Sequence, residues 1–496
     1  MLKKVLAFCI IPLLIFCAVP ANAAGKEQRD WQSQNVYYLI VDRFNNGDDS
    51  NDYNTNTKKD LSFQGGDFQG IIDRLDYIKD LGFTAILLNP IFDNDSNGYA
   101  GDRITNFFKT DEHYGSMKKF QQLVKEAHKK KMKVMLNFVT NQISPDHPWV
   151  KDPTKSDWLK GKTKDGMIVL NQNNPDVNQY FIKAGKWWVQ KTGIDGYYLS
   201  NVEDAPISFW KDFNSAVRSV NKDFFLLGDV HTNNVKTIKT YEQAGFDGFY
   251  DNPQNQPLRN AFSNINESAT SLMDIVKKNK HTYNSDTINA IYFDNPYMTR
   301  FTRDMVNANK YPGTRWKLAL TYMYTQPEMP VMYYGSEIAI DGGNAPENRK
   351  MMNFRADKDL MDYMTQISDL RAKNPALVKG TFTPLYDKNG MTIYKREYKG
   401  DINIVAINNT NSTQGISIDA SQFKGDKELH GLLEGGIIRT DNGKFKLVLE
   451  RETSEIYRVV DKTGINFGFI SVLVIVWVLF FAFIIAAKKR GKRNAN

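Results

Sequence analysis

The strongest constraint on the fold is a rhythm. Short apolar or aromatic runs recur at 36–41, 84–88, 133–139, 196–199, 224–227, 246–249, 289–293 and 330–334. Such runs, bounded by turns, read as buried parallel strands. Helical patterns lie between them. Ile71, Ile72, Leu75, Ile78 and Leu81 repeat at helical spacing and stop at Gly82, and Ser116 is an N-cap for a helix that buries Phe120, Leu123, Val124 and Ala127. Eight strands alternating with helices predict an α/β fold, a (β/α)8 TIM barrel spanning 24–376 with a short inserted segment around 142–170. A doubly wound open sheet gives a similar rhythm. In a barrel the active site forms where the strands end.

After Pro375 the pattern changes to alternation and tight turns. Asp387-Lys388-Asn389-Gly390 precedes the run 391–398, and 402–407 follows Gly400-Asp401. Asn-Gly between alternating runs is a hairpin signal, so 377–461 is expected to be a C-terminal β-sandwich.

The two ends carry targeting signals. Residues 1–23 run from Lys3 and Lys4 through an apolar stretch to Ala21-Asn22-Ala23, the layout of a cleaved signal peptide. Both cysteines, Cys9 and Cys17, lie inside it, so the mature chain holds no thiol for disulfide, metal or nucleophile chemistry. Residues 465–487 are apolar and long enough to cross a bilayer of roughly 30 Å as one transmembrane helix. A basic tail, 488–496, follows and predicts a cytoplasmic C-terminus with everything before the span outside the cell. The chain has 64 Lys and Arg against 56 Asp and Glu, and seven of the basic residues belong to these end segments. The remainder is near neutral and gives no reason to expect a nucleic-acid partner.

The barrel region and the β-rich region after it resemble the α-amylase family of glycoside hydrolases. The resemblance is carried by Val41-Asp42-Arg43-Phe44 with Asn45-Asn46-Gly47-Asp48, by Gly65-Gly66-Asp67-Phe68-Gln69-Gly70, by Gly193-Ile194-Asp195-Gly196, by Tyr333-Tyr334-Gly335-Ser336-Glu337 and by Asn348-Arg349-Lys350. It implies cleavage or transfer of α-glucosyl units by a pair of carboxyl groups about 5–5.5 Å apart, one a nucleophile and the other an acid then base. A third carboxylate assists, and the three stand after strands four, five and seven.

In the register of the family pattern, the nucleophile position is Ser200 and the arginine that organises it is Tyr198. The acid position keeps a carboxyl, Asp229, on a side chain one methylene shorter. Tyr297 stands where the third aspartate is expected, and Asn137 and Gln142 replace a further Asp and a His. A serine hydroxyl is a poor nucleophile without a base in reach. His231, two residues beyond Asp229, reads as a solvated loop residue. The leading expectation is therefore a non-catalytic, membrane-anchored surface protein that binds a glycan or a protein partner. The alternative is an α-glucan hydrolase or transglycosylase that uses Asp229 with Glu203 or Asp204.

The resemblance also implies a structural Ca2+ held by Asn46, Asp48, Asn51 and Asp52 in one loop and Gly65 and Asp67 in the next; an Asn/Asp-rich surface turn gives the same composition. A second calcium position keeps Asn141 but has Val169 and Asp204 at two of its other places. Tyr99, Asn141, Tyr198 and Arg300 are the expected substrate contacts. Further strand-end aromatics, Phe107, Phe108, Trp149, Tyr197 and Tyr333, offer faces on which sugar rings stack, and Tyr198 and Tyr297 could equally fill the volume of the pocket.

Overall fold

The computed structural model describes residues 31–462 and 467–493. The expected signal peptide, 1–23, and the last residues of the basic tail lie outside the described residues. Eight parallel strands form the barrel: β1 Val36–Leu39, β2 Ala85–Leu88, β3 Lys133–Asn137, β4 Gly196–Leu199, β5 Phe225–Gly228, β6 Gly248–Phe249, β7 Ala290–Ile291 and β8 Met329–Tyr333. Their order is β6-β5-β4-β3-β2-β1-β8-β7. A parallel bridge between Tyr250 and Ala290 closes the ring between β6 and β7. The open-sheet alternative is thereby excluded.

Alternation along the strands sorts the side chains into two cores. Val36, Tyr38, Ala85, Leu87, Met135, Tyr198, Phe225, Leu227, Tyr250 and Tyr292 fill the barrel interior. Tyr37, Leu39, Ile86, Leu88, Tyr197, Leu199 and Leu226 face outward onto the helices. Register holds this arrangement in place, with Val36 opposite Ala85 on one side and Val331 on the other. A slip of one residue would exchange the two faces.

The helix Met117–Lys129 begins where expected, its N-cap Ser116 accepting from Lys119 N–H at 3.2 Å. The single helix expected from Ile71 to Leu81 is instead two, Phe68–Asp73 and Leu75–Asp80. They divide at Arg74, which donates to Asn45 Oδ1 at 3.3 Å and lies 4.1 Å over the Phe354 ring. Tertiary contacts at that one residue outweigh local propensity. The segment inserted after β3 carries a three-stranded antiparallel sheet, Gln142–Ile143, Leu159–Lys162 and Ile168–Leu170.

Residues 381–461 form a six-stranded antiparallel sheet faced by the strand pair Gln414–Asp419 and Lys444–Leu449, around a core that includes Ile393, Ile404, Leu429 and Phe445. This domain is pinned to the barrel by polar contacts of buried arginines. Arg396 Nη1 donates to Thr325 O, and Arg315 reaches the side chains of Asn409 and, at 3.2 Å, Glu452. The final helix, Phe467–Arg493, contains one apolar window of spanning length, Ser471–Lys488, with a mean hydropathy of 2.6 and no part buried against the protein.

Candidate active site

The carboxyl ends of the barrel strands form the mouth of the barrel, where Asp229 follows β5 directly. Its backbone is fixed on the β4 side: Asp229 N–H donates to Leu199 O at 2.8 Å and its carbonyl accepts from Val202 N–H at 3.1 Å. The side chain is 3% exposed. Oδ2 accepts from the Tyr198 hydroxyl at 2.5 Å and Oδ1 from Asn252 Nδ2 at 2.7 Å. Asn252 is in turn held by the Tyr292 hydroxyl at 2.5 Å. A buried carboxylate needs such donors, because an unpaired one carries a desolvation penalty of several kcal/mol, about the cost of breaking a buried ion pair.

A third contact comes from His231, whose Nε2 lies 3.5 Å from Asp229 Oδ2. The other face of its ring meets Glu203, with Nδ1 3.1 Å from Oε1, and the same carboxylate accepts His231 N–H at 3.2 Å. The Glu203 hydrogen bond, reinforced by the charge of Asp229 against the opposing effect of burial, pushes His231 up to about 9. Glu203 is raised by its partial burial, but the His231 bond outweighs this and holds its carboxyl below the usual range. The imidazole therefore carries its proton at neutral pH, aimed between two carboxylates. His231 is a member of the site and not the free loop residue that the sequence suggested; Glu203, 28 residues away in the chain, supplies the contact that decides it.

Ser200 follows β4 and is 6% exposed. Among the described residues, no imidazole or carboxylate is hydrogen-bonded to its hydroxyl. The Tyr297 ring is 48% exposed, but its hydroxyl accepts from Asn137 Nδ2 at 3.0 Å; the same amide donates to Tyr38 OH at 3.2 Å. Arg349 faces the Tyr297 ring at 5.8 Å.

The expected substrate contacts divide. Arg300 is fully buried, with Nε on Asn348 O at 2.8 Å and Nη1 on Tyr334 O at 2.6 Å, so it ties two loops together, while its Nη2 is buried without a hydrogen-bond partner. Tyr198 is fully buried in the barrel interior, where its hydroxyl donates to Asp229. Tyr99 is 4% exposed, with the Arg43 guanidinium 4.1 Å over its ring. Asn141 Nδ2 donates to Asp204 at 2.9 Å, at the rim of the mouth.

In the loop after β1, Asn46 Nδ2 donates to Asp52 Oδ2 at 2.8 Å beside Gly65, where an added Cβ would lie 2.5 Å from Asp52 Oδ1. Gly65 also has φ +95°, a backbone that suits glycine. Asn46 Oδ1, Asn51 Oδ1 and Asp52 Oδ1 are buried and accept no hydrogen bond. Asp67 and Asp48 are committed elsewhere: Asp67 accepts from the N–H groups of Gly47, Asp48 and Gly70, and Asp48 accepts from Ser50.

Two family models match the chain: "Alpha amylase, catalytic domain" over 38–168 and 158–382, and "Alpha-amylase C-terminal domain" over 380–457. An α-amylase of Anoxybacillus is 44% identical, with a TM-score of 0.86 over 88% of this chain and all of that one. The α-amylase of Geobacillus thermoleovorans, solved with acarbose, is 42% identical, with a TM-score of 0.84 over the same shares. A β/α-amylase of Paenibacillus polymyxa is 30% identical over 462 residues, 86% of this chain but 38% of the relative's own length. These likenesses overturn the expectation of a non-catalytic protein that only binds a glycan or protein partner, since proteins named for α-amylase activity share the scaffold almost end to end.

Proposed function

The chain belongs to the α-amylase family, and from that premise we propose that it is an α-glucan hydrolase whose chemistry is run by Asp229, His231 and Glu203. The observation that carries the reading is the trio at the ends of β4 and β5, where a protonated imidazole, hydrogen-bonded to Glu203 and 3.5 Å from Asp229, separates two carboxylates. Asp229 holds the position of the acid: it passes to the departing glycosidic oxygen a proton that it takes from His231, while Glu203, beyond the ring, is the base that takes a proton from the attacking water. His231, oriented by Glu203, supplies and recovers the proton. An imidazole ring and contacts of 3.1 and 3.5 Å stand between the carboxylates, so the two do not face each other as the close pair of a covalent mechanism would. Water then attacks the sugar directly, with no covalent intermediate on Ser200.

Maltodextrins, starch and an activated α-glucoside are the substrates to test with the purified chain. Turnover that falls at least 100-fold in Asp229→Asn supports the reading, as loss of an acid–base group of this kind costs about 10²–10⁴. Absence of turnover above a protein-free blank overturns it.

A structural Ca2+ would be held by Asn46, Asn51 and Asp52, whose orphaned oxygens are hard donors in need of a partner, and it would brace the loop after β1. The helix Phe467–Arg493 anchors the barrel at the outer face of a membrane, with the leader at 1–23 directing export and the basic tail retained inside.

A further inference from the structure

A second surface of the barrel carries aromatic rings that the mouth does not use. A groove of about 670 Å3 lies on the flank between the loop after β1, the strand Ile104–Thr110, the start of the helix Met117–Lys129 and the outward side of the helix Pro175–Thr192. None of Asp229, His231, Glu203 or Tyr297 lines it. Its rings are Tyr53, Phe108 and Trp187, with the buried Tyr114 beneath them. Tyr53 is 53% exposed. Phe108 and Trp187 stand edge to face, with centroids 5.3 Å apart, and both are only partly buried. Trp187 sits beside the fully buried Trp188, so the helix gives one indole to the core and turns the other to the groove.

The polar rim is internally balanced. Lys109 Nζ is 2.9 Å from Asp93 and 3.1 Å from Glu112, and Lys119 Nζ donates to Gln69 Oε1 at 2.7 Å. The groove is lined by two cations, Lys109 and Lys119, and two carboxylates, Asp48 and Glu112, so it has no excess of positive charge to select an anion or a nucleic acid. What it offers is hydrogen bonding without net charge, around rings whose faces suit the C–H surface of a sugar. That combination fits a neutral polyhydroxylated chain.

We propose that this groove is a second α-glucan-binding site, which holds a distant stretch of the polymer while the mouth works on another; the ligand class rests on the hydrolase reading above. Linking two contacts on one polymer raises the local concentration of the second without any new chemistry.

The test uses the full chain and three variants, Tyr53→Ala, Trp187→Ala and Trp187→Phe. Retardation in native gels containing glycogen is measured beside turnover of maltotriose, which is too short to reach both sites. The expected result is a loss of glycogen affinity of roughly five- to tenfold in Tyr53→Ala, with the melting temperature and maltotriose turnover unchanged, and partial recovery in Trp187→Phe relative to Trp187→Ala. Unchanged retardation in Tyr53→Ala and Trp187→Ala overturns the site, and so does equal retardation by a soluble β-glucan. Retardation that depends on Tyr53 in a chain without turnover leaves the groove standing and removes the hydrolase reading. Turnover without glycogen retardation does the reverse.

Discussion

Replacing Glu203 by glutamine tests the coupling that organises the mouth. The Glu203 hydrogen bond is the largest influence that moves His231 from an ordinary value of 6.5 to about 9, with Asp229 adding its charge. At 1.36 kcal/mol per pKa unit the full shift corresponds to about 3 kcal/mol of folding free energy. The imidazole side chain is 51% exposed, however, so solvent screens the pair, and about 1 kcal/mol is the working magnitude. The sign follows from linkage. A histidine whose folded pKa lies above its unfolded value contributes its full stability below about pH 6.5 and loses it as pH rises through about 9. Melting curves of the wild type and Glu203→Gln between pH 6 and 10 should therefore converge at the alkaline end, the wild type giving up about 1 °C more for a chain of this size. Activity adds a second reading, since the alkaline limb of kcat/KM, set near pH 9 by His231, should move toward neutrality in the variant. Melting curves that stay parallel, with an unmoved limb, would refute the coupling.

Three other outcomes are expected. Hydrolysis by water without a covalent intermediate inverts the anomeric centre, so proton NMR of fresh product should show the β-anomer first; an initial α-anomer would assign a nucleophile and take the water from Glu203. Chelation should lower the melting temperature of the wild type and leave Asp52→Ala unaffected, because Asp52 brings the carboxylate of the orphaned set; equal responses in both would reduce the loop to a plain turn. Removing 467–496 should move the protein from the carbonate-resistant membrane fraction to the soluble one, and an unchanged distribution would count against the anchor.

How much of this was legible depends on the range of the interaction. Ser116 could be read as a cap and Val36 as barrel core because their signals are local: an N-cap oxygen bonds a residue three positions on, and alternation declares which face a strand residue takes. The strand runs were placed to within two or three residues, but β6 and β7 shrink to two residues each because only part of each run finds a partner. Arg74 broke the expected helix through Phe354 and Asn45, both remote in sequence. The role of His231 was hidden for the same reason. Nothing near Val230-His231 announces that Glu203 is within reach, and only the closure of β4 against β5 brings their loops together.

The residues of the mouth also explain one another. Family resemblance places an arginine at Tyr198, and an arginine there would offset the charge of a neighbouring carboxylate outright. A tyrosine carries no charge, yet its hydroxyl spends itself on Asp229 at 2.5 Å, while Asn252 takes the other oxygen and His231 approaches from the rim. Tyr198 is thus more than filler for the barrel interior, because without its donor a carboxylate that is 3% exposed would lose one of its hydrogen bonds. Neutral Ser200, Asn137 and Tyr297 fit the same logic, since each additional carboxylate in this volume would need a further cation beside it. The mobile positive charge beside Asp229 is the proton on His231, and its position between Asp229 and Glu203 makes the stability of the mouth and its acid–base chemistry depend on the same two contacts.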